Sequence, residues 1–308
     1  MSEIKILARG LKFPEGPVAH ADGSVAFVEI AGGTLSRVSA DGTLTVVANT
    51  GGGPNGLAVG PDGAYYVCNN GGSEYKQGER FKYTNVGVAK DYAGGSIQRV
   101  DPKSGEVRSL YTHCGPIRLS APNDLVFDTQ QGFYFTDIGK RHKHNKDHGG
   151  IYYARSDGTN ISAVVYPFVG TPNGAGLSPD GKVLYVAETD TSRLWAFDIV
   201  EPGVVKKHPY PSPFGGRLVG GLPGYQKFDS LAVEANGNIC VVTFVTGCVT
   251  VFSPSGDIVR EVKLPDVFPT NICFGGPDLR TAYMTLTETG QLVSMPWPEA
   301  GLRLNYQK

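Results

Sequence analysis

The chain has 308 residues, with 28 Lys and Arg against 29 Asp and Glu and a formal net charge of −1. That balance excludes a strong field toward nucleic acid or an anionic membrane surface, and no apolar run approaches the ~20 residues of a membrane span. Hydrophobic residues make up 40% of the chain, enough for a sizeable core, while Gly and Pro, at about a fifth of the residues together, stay below the share that signals disorder.

The first ten residues, Met1 to Gly10, lack the apolar stretch of a secretory leader, so a cytoplasmic location is expected. Ile4-Lys5-Ile6-Leu7 reads as a strand with no inner strands of its own. A motif then begins at Pro14-Glu15-Gly16 and returns at Pro54-Asn55-Gly56, Pro122-Asn123-Asp124, Pro172-Asn173-Gly174, Phe228-Asp229-Ser230 and Pro269-Thr270-Asn271. Successive copies lie 40, 68, 50, 56 and 41 residues apart. Each opens a short apolar strand. A tight turn such as Ala21-Asp22-Gly23, Pro61-Asp62-Gly63 or Pro179-Asp180-Gly181 follows, where Gly supplies the positive φ of a hairpin. A second strand rich in β-branched and aromatic residues comes next, for instance Tyr65-Tyr66-Val67-Cys68 or Val183-Leu184-Tyr185-Val186. Third and fourth strands repeat as well, as in Thr34-Leu35-Ser36-Arg37-Val38 and Leu44-Thr45-Val46-Val47. Six repeats of four antiparallel strands describe an all-β, six-bladed β-propeller, expected to span residues 1–308 as one domain. Either Ile4–Leu7 or Leu302-Arg303-Leu304 would complete the last blade and hide its edge.

Three segments interrupt the repeat: Gly71 to Gly94, with Tyr75, Phe81, Tyr83 and Tyr92; Gly139 to His148, with His142, His144 and His148 among basic residues; and the Pro- and Gly-rich Pro209 to Gln226. Loops over a propeller mouth often shape the pocket. The five cysteines are odd in number and show no zinc spacing; Cys68, Cys240 and Cys273 fall in apolar strands and read as reduced core residues.

The second motif position reads Glu15, Asn55, Asn123, Asn173, Asp229 and Thr270. Equivalent positions in a closed ring face one another around the channel. Two bare acids in a narrow channel repel, and a divalent cation removes that cost. Glu15, Asp229 and the amide oxygens of Asn123 and Asn173 form a set of hard oxygen donors. Such a set suits Ca²⁺ best, with Mg²⁺, Mn²⁺, Zn²⁺ or Fe²⁺ as alternatives. The second strand returns to the same end, which brings Glu29, Asn69, Asn70, Asp137, Glu188 and Thr189 to that mouth. No Gly-Xaa-Ser-Xaa-Gly elbow supports a serine nucleophile.

Phe13-Pro14-Glu15-Gly16-Pro17, Ala121-Pro122-Asn123-Asp124, Pro172-Asn173-Gly174, Phe228-Asp229-Ser230 and Cys273-Phe274-Gly275-Gly276 resemble the senescence marker protein/gluconolactonase (regucalcin-like) family, from Leu11 to about Thr287. The resemblance implies a metal-dependent lactonase acting on a small-molecule lactone. It implies Glu15, Asn123, Asn173 and Asp229 as metal-binding residues, Asp229 also beside the reacting water, and Asn55 as a substrate contact; Asp229 is then the leading candidate for the catalytic base, and Asn123, Asn70 and His148 are further expected substrate contacts. Asp137, Glu188 or His148 are alternatives for the base. An organophosphate-type hydrolase on the same metal site and a non-enzymatic ligand-binding propeller are the competing functions. The sequence departs from the family's sugar-lactone pattern at Ala121, where an Arg is usual, and at Ser230, where a Gly is usual. The lost cationic donor and the aromatic first insertion favour small or partly apolar lactones.

Overall fold

The computed structural model describes residues 3–307, so residues 1, 2 and 308 of the expected span lie outside it. The described residues are all β, with no helix and hence none long and apolar enough to cross a membrane. Six antiparallel sheets form six blades. Their inner strands are Pro14–Ala19, Pro54–Val59, Pro122–Phe127, Pro172–Leu177, Lys227–Val233 and Pro269–Gly275, here blades I to VI. Each inner strand touches the next in chain order, and that of blade VI touches that of blade I, so the ring is closed. Burial on both faces explains why these strands carry apolar runs instead of clean alternation. Between blades lie packed clusters, such as the one joining Tyr66 and Cys68 of blade II to Phe127, Phe133 and Phe135 of blade III. All five cysteines are free and buried, which bears out the reading of Cys68, Cys240 and Cys273 and extends it to Cys114 and Cys248.

The N-terminal strand, Lys5–Arg9, closes the ring by pairing antiparallel with Gln291–Pro296 of blade VI. Leu302–Leu304 does not compete for that edge. The segment straps the far end of the channel instead. Leu302 donates its amide to Val233 O (2.8 Å), Asn305 its side-chain amide to Phe127 O (2.9 Å), and Gln307 to Ala19 O (3.1 Å) and Phe274 O (3.0 Å). Four blades are thereby tied together from below. The third insertion also proves to be part of the repeat, because its Arg217–Gly221 pairs with Arg193–Glu201 as the outer strand of blade IV. Its Pro and Gly content hid that strand from the sequence reading. The first insertion folds as a hairpin, Ser73–Lys76 with Thr84–Val88.

The first motif residue pairs with the last residues of the second strand, as in Pro54↔Asn69, Pro122↔Asp137 and Pro172↔Glu188. The register then shifts. In blades II to V the irregularity lies between the first and fourth motif residues; in blade I it follows Glu15, and in blade VI it precedes Asn271. A bulge at this point takes residues out of the ladder and re-aims their side chains. It also brings neighbouring inner strands very close together. A Cβ on Gly56 would stand 2.5 Å from Asn123 O and 2.7 Å from Asp124 Cα; one on Gly174 would stand 2.7 Å from Leu231 N. These neighbours are backbone or Cα and cannot swing aside. Gly56→Ala is therefore expected to destabilise the fold by about 2–3 kcal/mol, at the upper end of overpacking penalties. Urea unfolding measures this, and an unchanged midpoint would show that blades II and III are not packed so tightly.

Candidate active site

The second-position residues Glu15, Asn55, Asn123, Asn173, Asp229 and Thr270 all lie buried at one end of the channel, each with 8% exposure or less. Asn271 of blade VI donates to Glu15 Oε2 (2.9 Å), which also accepts the Gly16 amide (2.8 Å). Asn173 donates to the Thr189 hydroxyl (3.1 Å) and lies against the Asp229 carboxylate. Thr270 is turned away from the axis. Its hydroxyl bonds the Thr285 hydroxyl (2.8 Å) and Pro14 O (2.9 Å), so it seals the seam between blades VI and I.

Two observations mark the centre of the ring as electrostatically incomplete. Asn123 Oδ1 and Asn173 Oδ1 are buried and have no hydrogen-bond partner among the described residues, a costly condition for a polar atom. Glu15 and Asp229 are both held well above the usual carboxylate range. Burial is the main cause for each; repulsion from Asp229 adds to it for Glu15, and repulsion from Asp124 for Asp229. Among the described residues no three His, Cys, Asp or Glu side chains gather to hold a metal. The ring instead offers two carboxylates and two unpartnered amide oxygens, a donor set suited to a hard divalent cation.

Asp124 went unremarked in the sequence reading. It sits at the third motif position, where Gly16, Gly56 and Gly174 occupy other blades. Its carboxylate accepts the amides of Leu125 (2.9 Å) and Ala175 (3.3 Å), and burial pushes its pKa up to about 7. The signal was available as a break in a run of glycines. Asp124, Ser230 and Asn271 are the polar third-position residues, and Asp124 and Asn271 line a cavity of about 450 Å³ beneath the ring.

The second-strand ends do reach the same mouth, and several of them act as staples. The Asp137 carboxylate accepts the amides of Ser120 (2.7 Å), Ala121 (2.8 Å) and Gly139 (2.8 Å). Both of its oxygens are thus committed to loop backbone, although burial raises its pKa to about 6. Glu29 binds the Lys12 amide and the Ser36 hydroxyl; Asn69 binds the amides of Gly53 and Gly71; Glu188 accepts the Trp195 indole N–H. Asn70 Oδ1 accepts the Gly72 amide (2.9 Å). His148 is exposed on the second insertion. The structure therefore brings Glu15, Asn55, Asn123, Asn173 and Asp229 to one buried level of the channel, holds Asn70 against Gly53, Gly72 and Lys140 at the end of the second strand of blade II, and leaves His148 in solvent.

The two insertions form the walls. The first-insertion hairpin reaches from blade II past blade I to blade VI, where Arg80 pairs with Glu288 (2.6 Å). Tyr75 packs on Phe13 (5.8 Å between centroids), and Phe81 on Phe268 (6.3 Å), which packs at a tilt on Phe244 (4.5 Å). Phe13 holds φ at 61°, a left-handed conformation rare before proline and costing about 1–3 kcal/mol. Tyr92 leaves this aromatic group and bonds Ser120 O (2.8 Å), its ring 4.9 Å from Lys140 Nζ. Buried Lys140 of the second insertion donates to Asn70 O (2.8 Å) and Gly72 O (2.6 Å), which pins the two insertions together.

Comparison with known proteins places this arrangement in context. The sequence pattern of the SMP-30/Gluconolactonase/LRE-like region matches residues 13–288. The chain is 28% identical over 264 residues to lactonase drp35 of Staphylococcus haemolyticus, covering 85% of this chain and 72% of that one. Among solved structures it is similar to a putative gluconolactonase, with 25% identity, a TM-score of 0.74, and 98% and 94% of the two chains covered. It also shares its fold with a gluconolactonase of Xanthomonas campestris (21% identity, TM-score 0.75, 96% and 90% covered). A calcium-binding regucalcin of Agrobacterium tumefaciens has the same fold (16% identity, TM-score 0.77, 100% and 98% covered).

The strained ring makes a prediction about stability. A carboxyl group whose pKa is higher in the folded than in the unfolded chain favours folding when protonated. Without metal, Glu15 and Asp229 should therefore cost stability as pH rises above the ordinary carboxylate range. Asp229→Asn removes one of the two charges. In chelator at about pH 8 it is expected to raise stability by about 1–2 kcal/mol over the parent chain, with the gain shrinking toward about pH 5. Thermal unfolding across that range measures the difference. A variant less stable than the parent at the higher pH would show that the carboxylates are not in conflict.

Proposed function

The chain belongs to the SMP-30/Gluconolactonase/LRE-like family, and from that premise we propose that it hydrolyses a lactone at the ring formed by Glu15, Asn123, Asn173 and Asp229, with one divalent cation as cofactor. The observation that carries this reading is the coincidence of two mutually repelling buried carboxylates with two buried amide oxygens that have no partner. A protein without an ion there has no physical reason to keep all four. Curated relatives that are lactonases support the substrate class.

Bound among these oxygens, a divalent cation, Ca²⁺ by the hardness of the donors, would supply Lewis acidity toward a carbonyl and acidify water. The chain's own residues do the rest. Asp229 accepts the proton of the attacking water as its oxygen bonds to the lactone carbonyl carbon. The ring carbon–oxygen bond then breaks, and the proton passes to the departing ring oxygen, giving a hydroxy acid. Asn271 and the Gly16 amide fix Glu15 so that its carboxylate keeps one face toward the axis. Asn55, Asn70 and Asn123 offer amides to the substrate. The committed carboxylate of Asp137 is less suited to base catalysis than Asp229.

Two outcomes are expected. Exhaustive chelation should abolish lactone turnover, with a restored divalent ion recovering it, and Asp229→Asn should lower kcat by about 10²–10⁴-fold, the usual weight of a general base. Undiminished activity in either case would sink the assignment. The second outcome concerns choice of ring. Ala121, buried where the family's sugar-lactone members carry a cation, leaves a substrate hydroxyl without that donor, and Tyr75 and Phe81 bring apolar surface to the mouth. An unpaired hydroxyl costs roughly 1–3 kcal/mol. We therefore expect kcat/KM for γ-butyrolactone-type rings to exceed that for gluconolactone by about 5–100-fold, corrected for spontaneous opening. A preference for the sugar lactone would show that other groups replace the arginine.

A further inference from the structure

The mouth is electrically lopsided, and the lopsidedness points to one chemical class of lactone. A cavity of about 830 Å³ opens between the two insertions, with Ala121 and Thr171 in its lining. Ala121 and Thr171 each precede a ring residue, Asn123 and Asn173, by two positions, about 7 Å along an extended chain. The second insertion supplies this wall with Lys140, Arg141, Lys143 and Lys146.

Little nearby neutralises these cations. Asp190 is the carboxylate in the lining, and three cations share it: Lys227 at 3.1 Å, Arg141 at 3.6 Å and Lys146 at 3.7 Å. Lys140 donates to backbone carbonyls and, among the described residues, has no carboxylate within ion-pair distance. Asp147 is taken by the His142 ring (3.1 Å) and the Ser120 hydroxyl (3.2 Å), and Asp137 by three amides. Arg141 and Lys143 are exposed toward solvent. The chain as a whole has a net charge of −1, so this positive excess is local. A low-dielectric cleft lined by one sign of charge raises the local concentration of the opposite sign by 10–10³-fold.

We propose that the substrate is an acidic lactone, carrying a carboxylate or phosphate on an arm of the ring, and that Arg141 and Lys143 receive that anion within the field of Lys140 and Lys146. The inference rests on the lactonase reading above and adds the charge of the substrate. It also gives the missing arginine a physical counterpart: the cationic anchor has moved from the inner loop at Ala121 to the wall of the adjoining cavity. The ring itself binds against the aromatic wall of blades V, VI and I, on the opposite side of the mouth from the cations. Guanidinium and ammonium groups accept both oxyanion types, as forked and point-like donors respectively.

The test uses the full chain with its metal and three lactones sharing one five-membered ring. The exocyclic arm ends in a carboxamide, a carboxylate or a phosphomonoester. At low ionic strength the better anionic arm should exceed the carboxamide in kcat/KM by at least about tenfold, with the advantage shrinking as salt is added. Whichever anion gains more identifies the source of the charge. Arg141→Gln with Lys143→Gln should erase most of the advantage and leave the carboxamide's kinetics unchanged. The reversal Arg141→Glu with Lys143→Glu should turn the advantage into a penalty. Equal turnover of all three arms would overturn the acidic-lactone proposal and leave the lactonase reading standing. An anion preference unaffected by either double variant would overturn the role of these two residues. No turnover of any lactone would overturn the lactonase reading, and this inference with it.

Discussion

The closeness of the six inner strands at the third motif position governs everything above it. Gly16, Gly56 and Gly174 are there because a neighbouring backbone occupies the space a Cβ would need. At these three positions each inner strand is held hard against its neighbour, blade I on II, II on III and IV on V. The second-position side chains, one residue away, inherit that constraint. In blades II to V a bulge frees them from ladder pairing, whereas Glu15 of blade I stays paired with Val28 just before its bulge. Sites built on rigid elements hold geometry better than sites on loops, and here the rigid element is the narrowest layer of the propeller.

On that layer the chain maintains an arrangement that opposes its own folding. Two buried carboxylates repel, and two amide oxygens go unpartnered. Asp124 adds a third acid just beneath, satisfied by two amides yet raised in pKa by burial. Another buried acid is answered differently. Buried Glu234 is matched by Arg260, the Trp297 indole N–H (2.7 Å) and the Asn238 amide (3.0 Å). The contrast separates structure from function more sharply than burial alone, since both groups of acids are equally hidden. The same contrast distinguishes the staples from the ring: Asp137 is as buried as Glu15, but its oxygens are answered by backbone.

Much of this was legible in the sequence because a repeat exposes equivalence. Lining up Glu15, Asn55, Asn123, Asn173, Asp229 and Thr270 by motif position shows which residues share a level without any knowledge of the fold. The same lining up misjudged Thr270, because position alone does not say whether a hydroxyl faces the axis or the seam. Asp124 lies in the third column, where Gly16, Gly56 and Gly174 point to close packing and not to chemistry. Arg217–Gly221 escaped notice because strand propensity is weak in a Pro- and Gly-rich setting, and its pairing with Arg193–Glu201 depends on tertiary contact. The N-terminal strand and the C-terminal strap looked interchangeable as apolar segments. What distinguishes them is where hydrogen bonds are missing: an open sheet edge on blade VI for one, free carbonyls at the channel floor for the other.

The insertions carry the information that no repeat can supply. Six similar blades would give a mouth of near-uniform character. Because Gly71–Gly94 leans toward blades I and VI, aromatic rings gather on one side. Because the basic second insertion stands over blades III and IV, cations gather on the other. Lys140 joins the two insertions through Asn70 O and Gly72 O, so neither wall can shift without the other. Burial lowers its pKa to about 8, offset by Asp137 and Asp147, which leaves it charged at neutral pH. On the proposed reading, the central ring holds the same donors whatever the walls present, and the walls set which substrate reaches it.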